Sequence, residues 1–315
     1  MCITDSRNDY IRDFLGVTKW HAAGYTGKYG LTASGENFEA ATEPSDHAHE
    51  TLEAFHEIAP DRKVIHIRLS DVGKLIKQTG KRGVDSMYVS LSTQGFPSNL
   101  REKIDDQLPK RTTIFVSAGN YGDERYNHYM KPERVYGVGA VRLTKKGKVY
   151  VANYTSVSEL VDFAGVTDLD LPPNRKIGGT SCAAPVLCGM AALVNDFFIQ
   201  HTGRPLSDAA MYRFLKDHTT DVFEEGKDEK TGWGLPILPD PKTIDIDKYR
   251  EDDDMIYKDD KDINHSHKGD VYRALDLGLM QGSDGSFEPK EPLTREQMAT
   301  VAVRLYDKIM EKVEE

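Results

Sequence analysis

The run Gly178-Gly179-Thr180-Ser181-Cys182-Ala183-Ala184-Pro185 decides how this chain is read. Small residues flank Ser181, so a substrate backbone can come close to its hydroxyl. An apolar stretch follows through Val186, Met190, Leu193, Val194 and Phe197, as in a buried helix. Ser181 is therefore expected at the mouth of a helix, with Pro185 near its start, where a missing N–H costs little. The free N–H groups and the dipole of a helix N-terminus favour negative charge beside the hydroxyl. A serine nucleophile needs that environment when a tetrahedral oxyanion forms. A Thr-Ser pair alone ahead of a helix is more often an ordinary N-cap, so the chain must supply partners.

Two stretches upstream offer them. Phe115-Val116-Ser117-Ala118-Gly119-Asn120-Tyr121-Gly122 reads as an apolar strand, from Thr113 to Val116, that ends in a glycine-rich loop. Ligand groups gather at such strand ends in open α/β sheets, although Asn-x-Gly by itself is usually a tight turn. Further upstream, Asp46-His47-Ala48-His49 leads to Ile58-Ala59-Pro60-Asp61-Arg62-Lys63-Val64 and then to the strand-like Ile65-His66-Ile67-Arg68-Leu69.

Together these pieces resemble the subtilisin-like serine peptidases (subtilases). The 178–185 run resembles the family's Gly-Thr-Ser-x-Ala-x-Pro nucleophile signature. The order acid, histidine, serine distinguishes subtilases from other serine hydrolases. The resemblance implies Ser181 as nucleophile, His47 as general base and Asn120 as oxyanion-hole donor. Of the family's His-Gly-Thr-His wording only the first histidine survives in register. His49, His56 and His66 are the competing candidates. A preorganised donor like Asn120 is worth about 2.7–4 kcal/mol of barrier, a figure that comes from subtilisin itself. Gly83 to Ser92 is similar to the family's strand that pairs with the substrate backbone. Ser90, Leu91 and Ser92, with Ser117, Ala118 and Gly119, are thus the expected substrate-binding residues. Val135–Val141 is similar to the family's later core strand and Ser158–Val166 to its stretch before the nucleophile loop, so the resemblance covers about residues 24 to 237.

The acid departs from the pattern. Subtilases place Asp-Thr-Gly or Asp-Ser-Gly at the end of the first core strand, and no such triplet precedes His47. Counting on from Gly24-Tyr25-Thr26-Gly27-Lys28, the acid position falls at Glu36. Glutamate can orient an imidazole and stabilise imidazolium. Another register puts Ala33 or Ser34 there. Asp46 is adjacent to the histidine and points away from it. Loss of the acid costs about 10⁴ in kcat, so two functions stand open: a serine endopeptidase, and an inactive pseudopeptidase that binds or regulates on the same scaffold.

Composition bounds the rest. The chain has 315 residues, a net charge of −10 and 38% hydrophobic residues, as expected of one α/β domain with a small appendix. The acidic balance argues against nucleic-acid binding. No run approaches 18 uninterrupted apolar residues, so no membrane helix is expected. The N-terminus lacks a signal-peptide h-region, which points to a cytoplasmic start. The residues before Gly24 are too few for a pro-domain. The three cysteines, Cys2, Cys182 and Cys188, form no disulfide framework. Cysteine reagents are expected to inhibit by crowding Ser181 from Cys182. No metal cluster or calcium loop is evident, and no cofactor is expected.

Beyond Gly232-Trp233-Gly234-Leu235-Pro236 the character changes. Residues 247–268 are dense in Asp, Lys and Glu, as in a solvated linker. His265-Ser266-His267 reads as part of it. Gly282-Ser283-Asp284-Gly285-Ser286-Phe287-Glu288-Pro289 and Leu293-Thr294-Arg295 then resemble one S-layer homology (SLH) motif, with Thr294 and Gln297 forming a capping box. The resemblance implies a cell-wall polysaccharide ligand, for which Asp284 and Arg295 are the residues to test. A helical cap or oligomerisation module is the plainer reading, and polysaccharide binding as the main function is a third. Wall association would follow release from the cell.

The expected fold is α/β: a subtilisin-like, mostly parallel sheet with helices on both faces, plus a small α-helical C-terminal module. The expected domains are 1–245 (peptidase), 246–265 (acidic linker) and 266–315 (SLH-like module). The expected partners are protein or peptide substrates, with neither nucleic acid nor membrane.

Overall fold

Each apolar run that leads to a candidate residue is a strand of one sheet. The computed structural model describes residues 5–36, 45–68, 83–91, 104, 108–249, 258–259, 262–263, 271, 274, 278–284 and 286–313. The chain forms two compact units, Met1–Phe197 with Pro205–Tyr249, and Phe198–Arg204 with Arg250–Glu315.

In the first unit, β1 (Leu31–Glu36), β2 (Lys63–Arg68), β3 (Ser86–Val89), β4 (Thr113–Ser117), β5 (Val135–Leu143) and β7 (Val161–Thr167) run parallel in the order β2-β1-β3-β4-β5-β7. The short β6 (Val149–Val151) pairs antiparallel with the end of β5. Every residue of β3 and β4 is buried, as expected for central parallel strands covered on both faces. Ala33, Met87, Val89, Ile114 and Val116 form the core of one face. On the other, Tyr88 stacks on Phe55 of helix α3 (Asp46–His56) at 5.6 Å. The chain runs from β1 out to β2 on one side and continues to β3 on the other side of β1. The crevice of this mostly parallel sheet therefore opens beyond the C-terminal ends of β1 and β3.

The N-terminal helices α1 (Asp9–Phe14) and α2 (Val17–Ala22) belong to this core, with Ile11, Leu15, Val17 and Trp20 buried. Asn8 binds both polar atoms of the Asp170 backbone, donating to its carbonyl at 2.8 Å and accepting from its N–H at 3.0 Å. That contact fixes the hairpin of β8 (Leu169–Leu171) and β9 (Arg175–Ile177), which feeds the nucleophile turn.

Helix α4 (Thr180–Thr202) starts at that turn. By length and composition it could cross a membrane, but nearly all of it is buried within the protein, as in a core helix. A Cβ on Gly165 of β7 would lie 2.3 Å from the Ala183 carbonyl oxygen, so the glycine lets helix and strand touch. Pro185 is the sixth residue of α4, past the first turn where its missing N–H would go unused. Its placement differs from the sequence expectation and leaves the Ser181 carbonyl without its i+4 donor.

One group of buried charges lies at the opposite end of the sheet. Arg62 is ion-paired with Asp85 and donates to Thr32 Oγ1 at 2.9 Å. Asn195 Nδ2 donates to Asp85 at 3.0 Å. Asp196 accepts the N–H groups of Thr26, Gly27 and Lys28 at 3.1, 2.8 and 3.1 Å, which fastens the entry turn to α4. Each buried charge is thus compensated by partners. Helix α5 (Asp208–Asp217) and the small β10–β11 ladder (Thr219–Thr220, Leu235–Pro236) complete this unit.

In the second unit, α6 (Arg295–Val313) opens on the expected capping box: Thr294 N donates to Gln297 Oε1 at 2.8 Å and Gln297 N to Thr294 Oγ1 at 3.1 Å. The Asp259 carboxylate accepts the N–H groups of Phe287 and Glu288 at 2.8 and 2.7 Å and so caps the turn-rich loop. Those two N–H groups hold its pKa below the ordinary value. The Asp284 carbonyl accepts from Lys258 Nζ at 3.0 Å, and Arg295 is exposed at the head of α6. The His265–His267 segment and most of residues 247–268 lie outside the described residues.

Candidate active site

Ser181 stands in the first turn of α4, and two hydrogen bonds to one neighbour hold it there. Its Oγ donates to the Ser90 carbonyl at 3.1 Å, and Ser90 Oγ donates to the Ser181 carbonyl at 3.1 Å. Ser90 follows β3 directly and is buried. Because Gly35 is in register with Val89, Glu36 at the end of β1 and Ser90 are the next residues on adjacent parallel strands. The serine, its strand partner and the candidate acid position thus converge at the mouth of the switch-point crevice.

Asn120 is exposed in the loop after β4, but its amide has a fixed orientation. Oδ1 accepts from Thr180 N at 2.8 Å and from Thr180 Oγ1 at 3.0 Å. An amide with its oxygen so committed presents Nδ2, the donor end, to a ligand. Gly179 completes the arrangement. It has a left-handed φ of 77°, and a Cβ on it would lie 2.9 Å from Asn120 Nδ2. Thr180 Oγ1 also accepts from Gly119 N at 3.2 Å, which ties the Asn120 loop to the helix start.

The two segments expected to bind substrate are tied together by Asn127, a fully buried residue that the sequence patterns do not single out. Its Nδ2 donates to the Leu91 carbonyl at 2.7 Å and to the Ser117 carbonyl at 2.9 Å, while its N–H donates to the Ala118 carbonyl at 2.9 Å. The segments after β3 and β4 are therefore held at one spacing. Ser92 lies outside the described residues.

His47 is half-buried in the first turn of α3, which Ser45 caps by accepting from Ala48 N at 3.1 Å. Helix α3 packs on β1, β8 and β9, and Arg175 of β9 pairs with Glu53 of α3 at 2.6 Å. The other histidines are placed differently. His56 contacts the Arg62 carbonyl through Nε2 at 3.1 Å, and burial pushes its pKa down. His49 is exposed, and His66 lies in β2, opposite Ser34. Asp46 is exposed beside His47.

Cys182 points into the core. Its thiol is fully buried, lies 3.8 Å from the Val166 carbonyl and is pushed by burial up to about 12. The expectation that cysteine reagents crowd Ser181 through this residue is therefore corrected. Among the described residues no group of three or more His, Cys, Asp or Glu side chains could hold a metal.

Comparison with known proteins agrees with this architecture. The subtilase family model matches residues 58–234 and the S-layer homology domain model residues 259–299. The major intracellular serine protease of Bacillus subtilis (strain 168) is 27% identical over 142 residues, a stretch covering 42% of this chain and 43% of that protein. The chain thus spans less than half the length of this relative. Among solved structures, fervidolysin from Fervidobacterium pennivorans, a keratinolytic enzyme related to subtilisin, superposes with a TM-score of 0.61 at 17% identity, over 74% of this chain and 45% of that one. The prenylagaramide maturation protease PagA (TM-score 0.59, 16% identity, 75% and 98% covered) and a lanthipeptide protease (0.58, 15%, 74% and 94%) share the fold. With a family model covering more than half of its length, the chain belongs to the subtilase family of serine peptidases and carries an S-layer homology domain behind the peptidase fold.

Proposed function

We propose that the chain is a serine endopeptidase acting by acyl transfer. The observation that carries this reading is the joint anchoring of Ser181 to Ser90 and of Asn120 to Thr180. Asn120 is thereby tied to the residue next to Ser181, at the start of α4, which supports a hydroxyl nucleophile with an amide donor beside it. A peptide chain pairing along Ser90 and Leu91 would take the Ser90 carbonyl and release the Ser181 hydroxyl. His47 then removes its proton, and Ser181 Oγ attacks the scissile carbonyl. Asn120 Nδ2 and the Ser181 N–H stabilise the oxyanion. His47 returns the proton to the leaving amine, and water hydrolyses the acyl-enzyme with His47 again as base. Glu36 orients His47. The substrate-binding residues are Ser90, Leu91 and Ser92 on one edge and Ser117, Ala118 and Gly119 on the other.

We assign residues 1–245 to the peptidase, 246–265 to a linker and 266–315 to a module that takes the chain to cell-wall polysaccharide. A fluorophosphonate probe tests the chemistry on the purified chain beside Ser181→Ala, His47→Ala and Glu36→Gln. Labelling lost in the first two and strongly reduced in the third is expected. A folded wild type that does not label would establish the pseudopeptidase instead. Undiminished labelling of Glu36→Gln would move the acid elsewhere.

A further inference from the structure

Gly179, two residues before the nucleophile, is gripped at both of its backbone polar atoms, which belong to the two successive peptide units on either side of it. Thr167 Oγ1, at the end of β7, donates to the Gly179 carbonyl at 2.9 Å. The Tyr154 hydroxyl accepts from the Gly179 N–H at 3.1 Å and lies 3.3 Å from Thr167 Oγ1. The bond directions follow by elimination. A threonine hydroxyl has one hydrogen, and Thr167 spends it on the carbonyl, so Tyr154 donates to Thr167. The result is a closed ring running from Gly179 N–H to Tyr154 OH, on to Thr167 Oγ1 and back to the Gly179 carbonyl.

Tyr154 also reaches the other half of the site. Its backbone carbonyl accepts from Gly122 N at 2.8 Å, in the loop that carries Asn120. One residue thus holds the nucleophile turn through its side chain and the asparagine loop through its backbone. Its ring is set in place from behind by the Arg142 guanidinium, 5.4 Å from the ring centroid and paired with Asp168 at 2.6 Å.

We propose that Tyr154 and Thr167 are positioning residues for the oxyanion hole: Tyr154 sets the peptide plane before Gly179 and Thr167 the plane between Gly179 and Thr180, and through them the Thr180–Asn120 contact and the Ser181 N–H are fixed. The kinetic part rests on the peptidase reading above. Neither residue touches the reacting atoms, so their loss acts on the transition state rather than on substrate affinity.

Tyr154→Phe keeps the ring and removes both hydroxyl bonds. Thr167→Val removes the second anchor, and Thr167→Ser keeps it. In the full chain, Tyr154→Phe and Thr167→Val are expected to lower kcat by about 10- to 100-fold with KM unchanged. Thr167→Ser should restore it, and Tyr150→Phe, at an exposed tyrosine, should match the wild type. A rise in KM at constant kcat, or no change, overturns the proposal. Hydrogen–deuterium exchange over residues 178–181 reads the ring without any turnover. Faster exchange there in Tyr154→Phe, at unchanged global protection, supports it, and unchanged exchange overturns it. A wild type that turns over no substrate would sink the peptidase reading while this exchange arm still decides the ring.

Discussion

Ser90 and Ser181 exchange hydroxyl-to-carbonyl hydrogen bonds in both directions, each at 3.1 Å. One of the two follows from the sequence of α4. Pro185 cannot donate to the Ser181 carbonyl, and Ser90 Oγ fills the vacancy from the neighbouring strand. The proline thus frees the carbonyl of Ser181 itself, which couples the helix start to the segment after β3.

Ser90→Ala should therefore cost about 1–3 kcal/mol, because it leaves the Ser181 carbonyl without a donor. Adding Pro185→Ala restores an N–H at the i+4 position. Urea unfolding of the four-member cycle should show Pro185→Ala to be more favourable in the Ser90→Ala background than in the wild type. Additive effects would mean that the two donors do not compete for one acceptor.

On the proposed peptidase reading, the two ends of the Asn120 amide have separable roles. Asn120→Asp keeps an oxygen for Thr180 and loses the amide donor, whereas Asn120→Ala loses both. Both should reduce the acylation rate by about 10²–10³, the range known from subtilisin's own asparagine. Only Asn120→Ala should also lower the melting temperature, since it strips the acceptor from Thr180 N and Oγ1. An Asp variant with wild-type acylation would mean that Nδ2 is not an oxyanion donor.

The sequence was legible where one local string carries both geometry and chemistry. Gly178 to Pro185 combines a turn, small residues and an apolar helix, and the runs at 113–116 and 135–141 are buried strands. It was illegible where a residue works on the backbone of a distant segment. Asn127, Tyr154, Thr167 and Asp196 are each one polar residue in an ordinary context, and each holds carbonyls or N–H groups many residues away. Pro185 shows the same limit in one position, since its cost depends on its exact place in the helix and on Ser90. Asp259 sits in a charged run that reads as solvent-facing, yet it caps the loop at 287–288.

The Arg62–Asp85 pair is buried on both sides and locks β1, β3 and α4 at the end away from the crevice. Removing one partner strands a charge, so Asp85→Ala should destabilise by about 3–5 kcal/mol. The double variant Arg62→Met, Asp85→Leu should recover much of that loss. Equal destabilisation of single and double variants in guanidinium melts would show that the surrounding hydrogen bonds, not the unpaired charge, set the cost.

Cys182 and Cys188 should resist alkylation in the native state, because both are fully buried and burial raises both thiol pKa values, that of Cys182 up to about 12. Peptide mapping after iodoacetamide should find them modified only once the chain is unfolded. Loss of fluorophosphonate labelling after native-state alkylation of Cys182 would contradict this placement.

His21 and His56 give the fold a pH dependence with a definite sign. His21 Nε2 lies 2.8 Å from the Ile58 carbonyl and His56 Nε2 lies 3.1 Å from that of Arg62. Burial pushes both pKa values below the ordinary 6.5. The unfolded chain therefore binds more protons in the interval between the folded and unfolded values, and stability rises with pH there. The contribution is complete above about pH 6.5 and is lost as pH falls through the lowered folded values. Urea midpoints measured from pH 7.5 down to pH 5 should fall accordingly. His56→Gln and His21→Gln keep a donor for each carbonyl and remove the titration, so each should flatten the dependence. A midpoint that is flat in the wild type, or equally steep in both variants, would place the acid sensitivity of this fold elsewhere.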